Sequence, residues 1–471
     1  MTTDFFAGLT PGPGVDKALA DAAPEVFWTD RPDVPAPRDP VTGSSADLVV
    51  VGGGFTGLWT AVLAKQQDPS ADVVLLEGRH VGYGASGRNG GFLSDSLTHG
   101  HAHGRSRWPD EMPTLVELGR RNVAEIASTL AAHDIDADLR LVGKTTVAVS
   151  PYQLDYLGSL AEADPRAVVL DADAMRADVD SPTYLGGVRL PGAGGLVDPG
   201  RLVFGLARLA DSLGVRRFDT SPVTGLAPGG AGVEVRTPTG TVRAGRVALA
   251  TNAYPAPLKR VRPFVLPVYD HVLVTEPLTD AQWASLGWVE RQGLTDAGNR
   301  FHYYRPTADG RILWGGFDAL YHFGGRVRAS YEQRPATHRR LATHFFATFP
   351  QLEGVRFTHR WGGVIDSTSR FTPMFGTASR GRIAYALGYT GLGVASARFG
   401  AAVMLDLLAG RESDATRLAM VRRRPVPFPP EPLRWPVVQL TRGELIRSDA
   451  RGGRRGPWLR LLDRFGVGFD S

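Results

Sequence analysis

The stretch from Leu48 to Glu77, LVVVGGGFTGLWTAVLAKQQDPSADVVLLE, constrains the fold more than any other part of the chain. Leu48 to Val51 is an apolar run the size of one buried strand. It breaks into Gly52, Gly54 and Gly57, the G-x-G-x-x-G spacing, with Phe55 and Thr56 inside the turn. It then runs into Leu58, Trp59, Val62 and Leu63 at helical spacing. A second apolar run, Asp72 to Leu76, ends on Glu77, twenty residues after Gly57. Gly52 permits a tight turn, Gly54 lets backbone approach a pyrophosphate, and Gly57 lets helix and strand pack closely. The helix N-terminus then faces negative phosphates, and Glu77 can accept hydrogen bonds from ribose hydroxyls. Strand, glycines, helix, strand and terminal acid in register predict a dinucleotide site.

At 471 residues the chain divides most naturally into two domains. Its 57 glycines and 43% hydrophobic residues suit an α/β enzyme with many tight turns. The absence of cysteine removes disulfides, thiolate metal sites and thiol nucleophiles. No apolar run is long enough to span a membrane, and the first residues carry no signal-peptide pattern, so a soluble cytoplasmic protein is expected. The net charge of +5 comes from scattered arginines, which argues against nucleic acid as a partner.

Residues 1–44 read as a leader broken by Pro32, Pro35, Pro37 and Pro40, with Phe27 and Trp28 packing on the body. After Glu77, six glycines within 78–91 exclude a regular strand or helix interior and fit backbone that touches a ligand. Gly84, Ala85, Ser86, Arg88, Asn89, Gly90 and Gly91 are its candidate contacts. His99, His101 and His103 follow, but with no cysteine and no regularly spaced acid they predict no metal site. Residues 186–254 read as a return to the first domain: a helix opening at Asp198-Pro199, then strands. Val223 is expected near an adenine, with Thr251 and Asn252 closing a strand beside the cofactor.

From about 258 to 355 the texture becomes aromatic and antiparallel, with Asp309-Gly310 marking a hairpin and a helix across 332–348. Residues 361–376 read as a loop or turn pair. A second glycine-to-helix junction follows at Gly391, Leu392, Gly393 and Val394, another helix terminus for polar cofactor atoms. The tail, 411–471, is expected to wrap the surface.

These motifs, VVVGGGFTGLWTA, GASGRNGGF, YYRPTADGRILWGG, the Trp361-Gly-Gly run and GYTGLGV, resemble the D-amino-acid oxidase and glycine/sarcosine oxidase superfamily of FAD-dependent amine oxidoreductases. The likeness covers roughly residues 27–410, and its nearest branch is that of gamma-glutamylputrescine and aminophosphonate oxidoreductases. It implies an α/β FAD-binding domain of the glutathione-reductase-like type, discontinuous in sequence (45–100, 186–257 and 356–410). A second α+β substrate domain, on a mixed or antiparallel sheet, takes 101–185 and 258–355. FAD would be held non-covalently, although a histidyl link from the His99–His103 run stays open. Trp361 would mark the chain's re-entry beside the flavin.

The implied chemistry is hydride transfer from an amine α-carbon to flavin N5, then imine hydrolysis, with molecular oxygen or another acceptor taking the electrons. The substrate is a polyamine derivative or an aminophosphonate. The alternatives are a glycine or D-amino-acid oxidase and, in another class, a non-catalytic FAD-binding or nucleic-acid-modifying flavoprotein. Amino-acid-oxidising members resemble one another in a strand-end arginine that clamps the substrate carboxylate. Here Thr307 holds that place and Arg305 lies two residues earlier, on the same strand face, as the candidate anion contact. Tyr269, His271 and Tyr303 are the other catalytic candidates, each equally readable as a half-buried sheet residue. Oligomeric state is left open.

Overall fold

The computed structural model describes residues 4–230 and 232–468. Two eight-stranded sheets carry the molecule. The first is centred on Ser44–Val51, which pairs in parallel with Val73–Leu76 on one side and Thr241–Leu249 on the other. Arg216–Phe218 and Ile383–Leu387 extend it in parallel outward, and Met374–Ala378 closes one edge antiparallel. Val73–Leu76 is buried throughout, as a strand covered on both faces must be. Phe55–Gln67 packs with the helices Pro199–Ser212 and Gly393–Ala409 on one face of this sheet. Asp198, as expected, caps the first turn of Pro199–Ser212 by accepting from the Arg201 N–H at 2.9 Å.

The second sheet runs in the order Phe357–Ser367, Leu266–Thr275, Ile312–Gly316, His302–Pro306, Gly293–Asp296, Lys144–Ala148, Gly186–Leu190, Val168–Asp171. Its pairings are antiparallel except Gly293–Asp296 with Lys144–Ala148, so it is a mixed sheet. The Asp309-Gly310 hairpin joins His302–Pro306 to Ile312–Gly316. One helix, Pro335–Thr348, covers the outer face of the Leu266–Thr275 strand.

Four stretches depart from the sequence reading. Gly186–Leu190 and Phe357–Ser367 belong to the second sheet, although their neighbours in sequence return to the first. Residues 361–367, read as a loop, finish an eleven-residue strand whose Gly362-Gly363 lies against His271 and Asp270. The leader contributes Phe6, Val15, Ala18 and Leu19 to the core behind the second sheet, and Trp28 to a separate cluster on its inner face. The tail does more than wrap: residues of Arg434–Ala450 and Pro457–Arg464 line the central cavity. Among the described residues no helix is long and apolar enough to cross a membrane.

Candidate active site

One cavity of about 1150 Å³ takes in the glycine turn, the second helix N-terminus and the inner face of the second sheet. Gly52 has φ +114°, and a Cβ there would lie 2.5 Å from the Ala250 carbonyl oxygen. A Cβ on Gly57 would lie 1.8 Å from the Gly52 carbonyl, so Gly57 is a packing residue and not a contact surface. The helix Gly393–Ala409 begins at Leu392 without a side-chain cap, and Phe55–Gln67 begins at Gly54 with its Phe55 N–H taken by the Ser86 hydroxyl at 2.8 Å and the next N–H groups left open. Free N–H groups of two helix starts therefore open on one space, which suits electron-rich ligand atoms. Glu77 accepts from the Gly53 N–H at 2.6 Å and the Arg79 N–H at 2.8 Å; burial pushes its carboxyl up, and each oxygen keeps a lone pair for a hydroxyl.

Most of the predicted contacts line this cavity: Gly52, Gly54, Phe55, Thr56, Glu77, Gly84, Ala85, Ser86, Arg88, Asn89 and Gly90 on the nucleotide side. Val223, Thr251, Asn252 and residues 391–394 join them. The Thr251 hydroxyl is buried with no protein partner, an orphan that a cofactor atom can satisfy. The residues present fit an extended dinucleotide. Gly57, Gly91 and Trp361 lie outside the lining. The Gly91 carbonyl accepts from the Val197 N–H, and the Trp361 indole donates to the Arg88 carbonyl at 2.9 Å, holding that loop from behind.

Three of the four catalytic candidates do not reach the cavity. Along Leu266–Thr275 the inner face is Val268, Asp270 and Val272, so Tyr269 and His271 point outward. The Tyr269 hydroxyl is tied to the Arg328 backbone, and His271 Nε2 sits 3.1 Å from the Tyr331 carbonyl. Arg305 does share the inner face with Tyr303, but its end of the strand is covered. Its guanidinium donates to the carbonyls of Val197 at 2.5 Å, Pro306 at 3.0 Å and Gly91 at 3.4 Å, beneath Trp28. It is fully buried, and burial pulls its pKa down to about 9. Arg305 is an internal strut, not an anion clamp. Tyr303 alone faces the cavity.

Residues 47–407 match the model of the DAO family, FAD dependent oxidoreductase. The chain belongs to this family. The gamma-glutamylputrescine oxidoreductase of Escherichia coli (strain K12) is 33% identical over 406 residues, 84% of this chain and 90% of that relative. The probable oxidoreductase OrdL of Haemophilus influenzae is 30% identical over 396 residues, 81% of this chain and 86% of that relative. Glycine oxidase from Bacillus cereus shares the fold, with a TM-score of 0.67 at 17% identity over 80% of this chain and 99% of that one. FAD is therefore the cofactor of this chain.

The residues that sequence reasoning missed in this DAO-family chain are acids and one lysine. Asp270 lies between the two outward-facing candidates. Its carboxylate accepts from the Tyr303 hydroxyl at 2.6 Å and from the His271 N–H at 2.7 Å. Burial pushes its pKa up to about 6, with the Tyr303 hydrogen bond opposing the rise. An aspartate inside an apolar strand was the available signal, because strands are poor in aspartate. Asp366 accepts from the Gly388 and Tyr389 N–H groups at 2.5 and 3.1 Å and shapes the turn before Gly391; burial pushes it up to about 7. Lys144 lines the far edge of the second sheet's inner face.

Proposed function

We propose that this protein oxidises a primary or secondary amine of a polyamine derivative or an aminophosphonate, with FAD held non-covalently and molecular oxygen as the final acceptor. The observation that carries the reading is Asp270, a carboxylate on the inner face of the substrate-side sheet within the cavity that the FAD cradle shares. The glycine turn and the Phe55–Gln67 helix start would hold the pyrophosphate, Glu77 the ribose, and residues 85–90 with 391–394 the ring system. When bound, FAD supplies the two-electron acceptor. An amine of this class arrives as an ammonium, because its pKa is about 10, like that of lysine. Asp270 draws the cation in and accepts a proton from its nitrogen, leaving the neutral amine that can give up electrons. The Tyr303 hydroxyl fixes the carboxylate rotamer during that exchange. Residues of the tail and the second sheet line the cavity around Asp270, and the apolar part of that lining strengthens its charge. The resulting imine is hydrolysed by water. Burial of Arg305 away from the cavity favours this reading over an amino-acid oxidase that clamps an α-carboxylate at that strand end.

The test is anaerobic mixing of the holoenzyme with putrescine, γ-glutamylputrescine, aminomethylphosphonate, glycine and D-alanine. Flavin bleaching within seconds by at least one of the first three is expected, followed by peroxide release when oxygen is readmitted. No bleaching by any of the panel within minutes at millimolar concentration removes the amine reading.

A further inference from the structure

The tail, 411–471, carries thirteen arginines against seven acids, a net of +6 in a chain whose whole net charge is +5. The rest of the molecule is therefore close to neutral, and the excess charge sits in one segment rather than being spread over the chain. That segment lies beyond residue 407, where the family match ends. The acids on its two longest helices are already engaged. Glu444 pairs with Arg447 and Asp463 with Arg455, both at 2.6 Å, and Asp449 is buried against the Asn299 amide. Arg451, Arg454, Arg460 and Arg464 are exposed and have no ion pair among the described residues.

The same two helices are apolar on two sides. Val437, Val438, Leu445, Leu459 and Leu462 turn inward and line the cavity. Outward, Leu433, Leu440 and Arg447 recur every seven residues, two helical turns, along one stripe of Arg434–Ala450 and the residue that caps it; Leu433 is 61% exposed. Leu461 and Phe465 stand one turn apart at the end of Pro457–Arg464, each directly preceded by an exposed arginine, and Phe465 is 67% exposed. The Trp458 indole donates to the Thr441 hydroxyl at 2.9 Å, so the helices are joined one residue from Leu440 and one turn from Leu461. A surface helix ordinarily turns a polar stripe to water. Here the outer stripe is leucine, phenylalanine and unpaired arginine.

We infer that this outer face docks on an anionic phospholipid bilayer. Leucine and phenylalanine enter the boundary between headgroups and acyl chains while the arginines meet the lipid phosphates, the pairing that holds an interfacial helix. The attachment is peripheral, since among the described residues no helix is long and apolar enough to cross. A nucleic acid satisfies the arginines but leaves Leu433, Leu440, Leu461 and Phe465 in water. A second copy of this chain covers the apolar side chains but sets the unpaired arginines against their own kind. A bilayer with acidic headgroups satisfies both.

Flotation of the holoenzyme with vesicles tests this, one set of phosphatidylcholine alone and one of equal parts phosphatidylcholine and phosphatidylglycerol. The protein should partition at least about tenfold more strongly onto the anionic set. Arg460→Gln with Arg464→Gln should lower that partition coefficient about tenfold or more, and Arg460→Lys with Arg464→Lys should keep it. Leu461→Ser with Phe465→Ser should lower it about as far. Flavin content and melting temperature of all three double variants should match wild type, because these side chains are exposed and none lines the cavity. Absence of flotation, equal flotation with both vesicle sets, or loss of binding in the glutamine pair alone overturns the inference. So does a wild-type dimer in light scattering that the serine pair converts to a monomer, which gives the face to a second copy.

Discussion

Replacing Asp270 with asparagine keeps the shape of the side chain and removes its charge. The structure makes two opposed predictions for that one change. Asp270 has a folded pKa of about 6 against an ordinary value of 3.8, so the folded protein binds this proton more tightly than the unfolded chain does. The associated stability is fully present below pH ~4 and is lost as pH rises through about 6, where the carboxylate must be ionised inside the cavity. Two units correspond to about 3 kcal/mol at 1.36 kcal/mol per unit. Denaturant melts of the flavin-free protein should therefore show Asp270→Asn more stable than wild type at pH 8, by about 1–3 kcal/mol, with the advantage vanishing near pH 4.

Activity should move the other way. Loss of a positioned proton acceptor lowers a rate about 10²–10⁴-fold. The wild-type pH profile of kcat/KM should carry an acidic limb near pH 6, where Asp270 loses its charge, and the asparagine variant should lack it. A stabilised protein that has lost its acidic limb is a combination that general damage to the fold does not produce. If the variant reduces flavin within threefold of wild type with the limb intact, Asp270 does not handle the substrate proton.

Three further substitutions test the scaffold. Gly57→Ala drives a methyl into the Gly52 carbonyl, so stability should fall by about 1–3 kcal/mol and flavin content should drop, read from the 450 to 280 nm absorbance ratio. Arg305→Met leaves the Val197 carbonyl without its donor, while the Gly91 and Pro306 carbonyls keep the Val197 N–H and Arg140; denaturant melts should show a loss of about 1–3 kcal/mol while KM for the amine stays within twofold. Glu77→Ala removes the acceptor of the Gly53 N–H, and equilibrium dialysis should show FAD affinity falling about tenfold or more, with the limiting rate of the reloaded enzyme unchanged.

The nucleotide half was legible because its determinants are local. The turn from Gly52 to Gly57, the acid at Glu77 and the helix start at Gly393 each depend on residues close together in sequence, and each lies where the spacing puts it. The substrate half was less legible, for two physical reasons. Period two tells which residues share a face, and Tyr269 with His271 do, but nothing in the strand says which face is the inner one. That is decided by Pro335–Thr348 packing on the outside, with His338 stacked edge-on to His271 at 5.3 Å. Arg305 failed differently. Its face was read correctly, but Trp28 from the leader and the carbonyls of Gly91 and Val197 close over that end of the strand, and such long-range cover leaves no mark in the local sequence.

The same sheet treats its two inner-face cations differently. An arginine at position 305 finds three carbonyls within reach and is absorbed into the structure, whereas Lys144, on the same row of the sheet two strands away, finds none among the described residues. The ring of Phe92 lies over Gly293, the residue between them, where a Cβ would come within 2.3 Å of it. Phe92 thus walls the satisfied cation off from the unsatisfied one. Tyr303, flanked by Gly90 and Gly315, leans the other way, toward Asp270.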